Sequence, residues 1–159
     1  MSTTQELARF VVGSDASAVP PEVLHEGKRC LINLMAVALY SSRDPSLQIL
    51  LDLFRANGGR RHATVLGTGV RTTTQNAALA NGYLGHLEDY DDTHFPSVLH
   101  PTAPVWPAVL ALAEDIAASG RDALAAFAIG AEVACRVSMS VHPWHYDAGW
   151  HITGTAGVF

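Results

Sequence analysis

Lysine is almost absent from this chain of 159 residues, because Lys28 is the only one and nine scattered arginines supply the remaining positive charge. Fifteen acidic residues leave a formal charge of −5, and the pI is about 5.8. Proteins that bind nucleic acids carry a basic patch for the phosphates. We therefore expect no nucleic-acid partner, although a small anionic substrate needs only a few local positive groups.

Cysteine and long apolar runs are also scarce. The two cysteines, Cys30 and Cys135, lie in apolar helical patterns, which favours buried, reduced thiols over a disulfide. The start, MSTTQELARF, lacks the charged-then-apolar pattern of a signal peptide, and no apolar run reaches membrane length. These features predict a cytoplasmic protein with no membrane partner.

Hydrophobic residues make up 48% of the chain, and many of them recur at helical spacing. The spacing predicts a mainly α, bundle-like array within one domain over residues 1–159. Only the segment RRHATVLGTG reads as a strand, closed by glycines in a short β-hairpin. Helices are predicted over 4–12, from Pro20-Pro21 to about 38, over 47–57, over 74–93, over 105–116 and over 120–138.

The segment HLEDYDDTHFPSVLHPT, residues 86–102, concentrates four carboxylates, three histidines and two threonines. If the helix that starts at Thr74 continues to residue 93, then His86, Asp89 and Thr93 share one face, with Asp92 beside Asp89. That face would combine an imidazole, two carboxylates and a hydroxyl. Asp91, Asp92 and Thr93 could instead do no more than solvate and end a helix.

Two histidines each precede a predicted helix start. His100 stands before Pro101-Thr102-Ala103-Pro104, where Thr102 or Ala103 would be the N-cap and Pro107 would still lie in the first turn. His151 precedes Thr153-Gly154-Thr155 in the same way. Helix N-termini present free N–H groups that can hold a carboxylate. The two starts therefore predict a pocket for a polycarboxylate.

Metal sites are the main alternative. The spacing Glu88-Asp89-x-x-Asp92 resembles an acidic Mg²⁺ motif, but no second acidic motif and no basic residues for a diphosphate accompany it. A transition-metal site could use Asp91, Asp92, His94 and His100, yet no tight ligand pair such as HExxH is present. GxSxG and a phosphate-binding glycine loop are missing too. We expect no metal and no other cofactor.

Three motifs in order resemble the MmgE/PrpD family: NGYLGHLEDYDDTHFPSVLHPTAPVWPAVLALAE, then GAEVACRV, then GWHITGTAG. The resemblance extends through nearly the whole chain. It implies the N-terminal part of an all-helical domain, in an enzyme that is usually a homodimer and acts on small di- and tricarboxylates without a cofactor. It further implies lysines beyond Phe159, and the apolar segment that ends there predicts the front part of a longer protein.

The site prediction combines the pattern with the resemblance. Asp89, Thr93, His100 and His151 are predicted as catalytic. His86, Asp92, Thr102 and Thr153 are predicted to bind substrate. The predicted reaction is a dehydration of the 2-methylcitrate dehydratase type by acid/base catalysis. The alternatives are the decarboxylase or epimerase reactions of the same family, or a catalytically incomplete helical module for dimerisation or binding.

Overall fold

The computed structural model describes residues 2–159, which form a two-stranded β-hairpin and eight α-helices. The helices are α1 Thr3–Gly13, α2 Pro21–Ser41, α3 Leu47–Asn57, α4 Thr74–His86, α5 Thr102–Ile116, α6 Gly120–Val141, α7 Trp144–Asp147 and α8 Ile152–Ala156. Strand β1, Ala63–Thr64, pairs antiparallel with β2, Arg71–Thr72. The predicted mainly α fold with one short hairpin is confirmed.

Helix α4 lies at the centre of the array and packs against α2, α3, α5 and the hairpin. Small residues make this possible, since Ala77, Ala80 and Gly85 are all buried on α4. A Cβ added at Gly82 would lie 3.3 Å from the carbonyl oxygen of Ala103 in α5. The two helices therefore approach closely, which places the last turn of α4 beside the start of α5.

The apolar core has several parts. Leu34 of α2, Trp106 of α5 and Phe127 of α6 form one cluster, in which the Trp106 and Phe127 rings stack 4.6 Å apart. A second cluster joins α2, α3 and α4 to the hairpin, and a third packs α8 onto α6. The third cluster fixes the C-terminal segment against the rest of the fold.

Helix α6 is the one described helix that is long and apolar enough to cross a membrane by length and composition. Charged residues such as Glu132 and Arg136 interrupt its apolar runs, so none of these runs is by itself of membrane length. Its buried residues include Phe127 and Val133, and it packs against α2 and α5. A core helix of a folded domain has the same composition, so this similarity is weak support for a membrane span.

The predicted helix over 74–93 is too long. Helix α4 ends at His86, and the chain then turns sharply, with Asp89 in the left-handed region at φ 55°. The Asp89 backbone N–H closes this turn by donating to the His86 carbonyl oxygen. The expected helical face of His86, Asp89 and Thr93 therefore does not form. Tertiary contacts of the following carboxylates, described below, outweigh the helical spacing.

The start of α5 also differs from the expectation. Thr102 is the first helical residue and Pro101 occupies the N-cap position, without a side-chain cap of its own. Pro107 is the sixth residue of the helix and not part of its first turn. Proline has no N–H, so the Ala103 carbonyl oxygen loses its usual helical partner. That oxygen faces Gly82 of α4, where the lack of a side chain leaves room for it.

Both cysteines are free and about half buried. Burial raises the pKa of the Cys30 thiol to about 11, and burial also raises the pKa of Cys135. The thiolate is the reactive form of cysteine. Neither residue is therefore suited to act as a nucleophile at neutral pH, in agreement with the sequence analysis.

Candidate active site

A buried carboxylate organises the segment that follows α4. The side chain of Asp91 has no exposure to solvent. Its two oxygens lie 2.9 and 3.0 Å from Nδ1 of His86. Its Oδ1 also lies 3.3 Å from Nδ1 of His100, close enough for charge attraction although the two atoms are not aligned for a hydrogen bond. Asp91 therefore holds two imidazoles from different segments beside each other.

A third imidazole completes the cluster. The ring of His86 lies 4.9 Å from that of His100 and 6.0 Å from that of His151. The rings of His100 and His151 are 6.4 Å apart and nearly parallel. The structure thus brings together three histidines that are far apart in sequence. We call His86, His100 and His151 the histidine triangle.

Helix α8 positions His151. The imidazole Nδ1 caps this helix by accepting the Gly154 backbone N–H at 3.2 Å. A neutral imidazole whose Nδ1 accepts a hydrogen bond carries its proton on Nε2. The hydroxyl of Thr153 accepts the backbone N–H of His100 at 2.9 Å. One short helix therefore supplies a triangle member and fixes the segment that carries another.

A tight loop before His100 is fixed to α6. His94 and Leu99 form an antiparallel bridge, and the hydroxyl of Ser97 lies 2.7 Å from Nδ1 of His94. Ser138 of α6 donates to the same hydroxyl at 2.9 Å, and both serines are fully buried. These bonds fix the loop that immediately precedes His100 against α6. His94 belongs to this anchor and lies outside the histidine triangle.

At the start of α5, where a substrate carboxylate was predicted to bind, the structure places the carboxylate of Asp92. Its carboxylate accepts the Thr102 backbone N–H at 3.2 Å and the Thr102 hydroxyl at 2.7 Å. The thiol of Cys30 lies 3.5 Å from the same carboxylate. Thr102 is fully buried. In this arrangement Asp92 and Thr102 bond to each other, and their predicted contact with substrate stays a prediction.

Asp89, another predicted catalytic residue, lies at the edge of the site, whereas no contact among the described residues places Thr93 beside the histidines. The Asp89 side chain is 78% exposed, and its carboxylate is 4.0 Å from Nδ1 of His86. Thr93 is exposed and makes no hydrogen bond with its side chain among the described residues. Both side chains can therefore meet a molecule from solvent, as their predicted roles require.

The cluster could hold a metal ion by distance alone. Ligand atoms of His86, Asp89, Asp91 and His100 all lie within 4.8 Å of one another. This set differs from the two considered from the sequence. Asp92 is engaged with Thr102, and the Mg²⁺ spacing does not fall on a helix. The expectation that no metal is needed stays a prediction.

A surface groove of about 330 Å³ reaches His86 and His151 of the triangle, and His100 is not among its lining residues. Pockets of this size are typical of sites for small molecules. Its lining combines two triangle members with apolar and small residues of α4, α5 and α8, namely Ala78, Leu79, Gly82, Tyr83, His86, Ala103, Pro104, His151, Thr153 and Gly154. No lysine or arginine is among them.

Comparison with known families agrees with this architecture. The family model of the MmgE/PrpD N-terminal domain matches residues 5–159. The chain belongs to the MmgE/PrpD family. The resemblance drawn from its three motifs is therefore confirmed.

Several curated proteins are similar to this MmgE/PrpD chain. A cis-aconitate decarboxylase-like protein of Aspergillus oryzae is 29% identical over 94% of the chain and 33% of its own length. Human cis-aconitate decarboxylase is 28% identical over 86% of the chain and 29% of its own length. The Aspergillus terreus cis-aconitate decarboxylase is 24% identical over 98% of the chain and 33% of its own length. The chain thus spans about a third of these relatives.

Asp91 is the residue of this MmgE/PrpD chain that sequence reasoning undervalued. It was considered only as a helix-ending residue or a metal ligand, whereas it is the buried residue that holds His86 and His100. Within DYDD, nothing in the residue types separates Asp91 from Asp89 or Asp92. With α4 ending at His86, Asp91 is the carboxylate that is buried against the histidines, whereas the Asp89 side chain is mostly exposed and Asp92 bonds to Thr102.

Proposed function

We propose that this chain contributes the acid/base wall of a cofactor-independent lyase that acts on small di- and tricarboxylates. The observation that carries the proposal is the histidine triangle, two of whose members face the buried Asp91. Proton transfer beside a carboxylate needs groups that gain and lose protons near neutral pH, and histidine is the side chain that does so. Family membership supports the same class of reaction.

The hydrogen bonds suggest which side of the site gives and which takes a proton. An imidazole that donates Nδ1–H to Asp91 keeps a free lone pair on Nε2 and can act as a base. His86 donates to Asp91 in this way. His100 lies beside the same carboxylate without a hydrogen bond to it. We assign both to the base side. His151 accepts at Nδ1 and carries its proton on Nε2, so we assign it to the acid side.

Two reactions fit this division of roles. In a dehydration, the base removes a proton next to a carboxylate and the acid protonates the departing hydroxyl. In a decarboxylation, the acid protonates the carbon that loses CO₂. The sequence analysis favoured dehydration of a 2-methylcitrate-like substrate. The similar proteins are cis-aconitate decarboxylases and a protein like them, which favours decarboxylation of cis-aconitate, and we place that reaction first.

A substrate panel separates these reactions. The purified protein is incubated with cis-aconitate, citrate and 2-methylcitrate, with and without EDTA, while CO₂ release and the absorbance of unsaturated acids are recorded. We expect one of these acids to be converted, at a rate that EDTA does not change. Loss of turnover in EDTA, restored by a divalent metal, would mean that the four-ligand cluster holds a required ion. Conversion of none of them would contradict the lyase proposal.

A non-catalytic binding module is the second candidate, because the chain spans only about a third of its relatives. Thermal melting with and without citrate shows whether the chain has a binding site for a polycarboxylate. A ligand that binds only the folded state raises the melting temperature. We expect citrate to raise it in the unmodified protein and to have no effect in a His100→Ala variant. An equal rise in both would place citrate outside the triangle.

A further inference from the structure

A second cavity lies away from the histidine triangle, between the end of α3 and the hairpin. Its volume is about 530 Å³, larger than that of the groove at the triangle. Leu51 and Phe54 of α3 line it with apolar surface, and both are almost fully buried. Arg55, Arg61 and Arg71 line it as well. We call this space the arginine cavity.

The segment that supplies the guanidinium groups of the arginine cavity is positively charged, unlike the whole chain. Residues 53–87 contain no aspartate or glutamate, although the chain has fifteen acidic residues. The same 35 residues contain four of its ten lysines and arginines, Arg55, Arg60, Arg61 and Arg71. The hairpin brings three of these arginines, Arg55, Arg61 and Arg71, to one cavity. Carboxylates of α3 and α5 pair with two of the three, so the charge left to attract an anion is mainly that of Arg61.

The three guanidinium groups differ in how far they are neutralised. Arg71 is held by Glu114, by a hydrogen bond from its Nη2 to the His62 carbonyl oxygen at 2.8 Å, and by the Arg61 carbonyl oxygen. Arg55 pairs with Asp52 on the surface of α3, and such exposed pairs are weak. Arg61 has no carboxylate partner among the described residues. One arginine is thus fixed in place and another is free to accept an anion.

The arginine cavity and the histidine triangle lie at opposite ends of α4. The hairpin meets α4 at Thr74, and His86 is its last residue. At 1.5 Å per residue the separation along the helix is about 18 Å. A small molecule cannot contact both sites at once.

We propose that the arginine cavity binds a small organic anion, in which a phosphate or a pair of carboxylates meets the guanidinium groups and an apolar body rests on Leu51 and Phe54. The fork of a guanidinium fits both kinds of oxyanion. Apolar walls with a few well-placed polar groups are the usual composition of ligand pockets. The proposal is independent of the lyase function, because none of these residues belongs to the groove.

Calorimetric titration at constant ionic strength tests it, with phenyl phosphate, phthalate and inorganic phosphate as probes. Phenyl phosphate and phthalate both have a benzene ring, but the first carries a phosphate and the second two carboxylates. Comparing them shows which anionic group the cavity prefers. Inorganic phosphate lacks the apolar body. We expect one of the two aromatic probes to bind at a single site and more tightly than inorganic phosphate. Arg61→Gln should weaken it at least about tenfold, as expected for loss of a charged hydrogen bond.

Arg136→Gln is the matched control. Arg136 is an exposed arginine of α6 that pairs with Glu132, so the variant loses the same charge elsewhere on the surface. Its affinity for the probe should equal that of the unmodified protein. No binding of either aromatic probe at millimolar concentration would overturn the proposal. Equal weakening in both variants would do so as well, because it would mean attraction by net charge alone.

Discussion

Replacing His100 with alanine is expected to lower kcat/KM for the polycarboxylate by about 10²–10⁴-fold, the usual contribution of a general acid or base. His100 is suited to such a large effect because its position is fixed from several directions. Thr153 binds its backbone, Asp91 faces its ring, and the loop before it is anchored to α6. The imidazole side chain is only 13% exposed, so water cannot readily take its place.

Three further variants make the result specific. His25→Ala removes an exposed histidine of α2 and should leave the rate unchanged. His100→Gln keeps much of the side-chain volume but cannot take a proton, so it should be nearly as slow as the alanine variant. Asp91→Asn should also be slow, because an amide cannot hold both imidazoles as a carboxylate does. Thermal melting is recorded for each variant to separate lost chemistry from lost folding.

The size of the rate loss decides between roles. If His100→Ala stayed within a few fold of the unmodified protein, His100 would not transfer a proton, and the assignment would fail. If Asp91→Asn were slow while His100→Ala stayed fast, the base would be His86, the other imidazole that faces Asp91. Full activity in both variants would remove the triangle from the chemistry altogether.

The candidate site could be predicted from the sequence because ionisable residues are concentrated there. Residues 86–102 carry many more ionisable groups than the helices around them, and His100 and His151 each precede a helix start. Both signals are local, so one sequence suffices to read them. The hairpin and the mainly α class were equally accessible, because glycines and apolar spacing also act over short distances.

The internal arrangement of the site was not accessible in the same way. Helical spacing favours continuation of α4 to residue 93, and only contacts with distant segments oppose it. Asp91 turns inward to His100, and Asp92 turns to the start of α5. Each contact joins residues that a periodicity argument treats as separate. The same limit hid the arginine cavity, whose arginines come together only when the hairpin closes.

Replacing Trp106 with alanine is expected to lower the free energy of unfolding by about 3–5 kcal/mol, the usual cost of removing a large aromatic core residue. Trp106 is 1% exposed and stacks on Phe127, so α2, α5 and α6 all lose packing. Urea denaturation measures the change. A loss below about 1 kcal/mol would be typical of a surface substitution and would contradict this packing.

Trp106→Phe is the informative companion. The indole Nε1 is buried without a hydrogen-bond partner among the described residues. An unpaired buried donor costs free energy, and phenylalanine removes it while keeping an aromatic ring against Phe127. The loss of stability should therefore be much smaller than in the alanine variant. Trp106 begins the second turn of α5. The first turn carries Thr102, which donates a hydrogen bond to Asp92 next to Asp91 of the site. Below its melting temperature, the phenylalanine variant should keep the activity proposed for the site, because the triangle itself is unchanged.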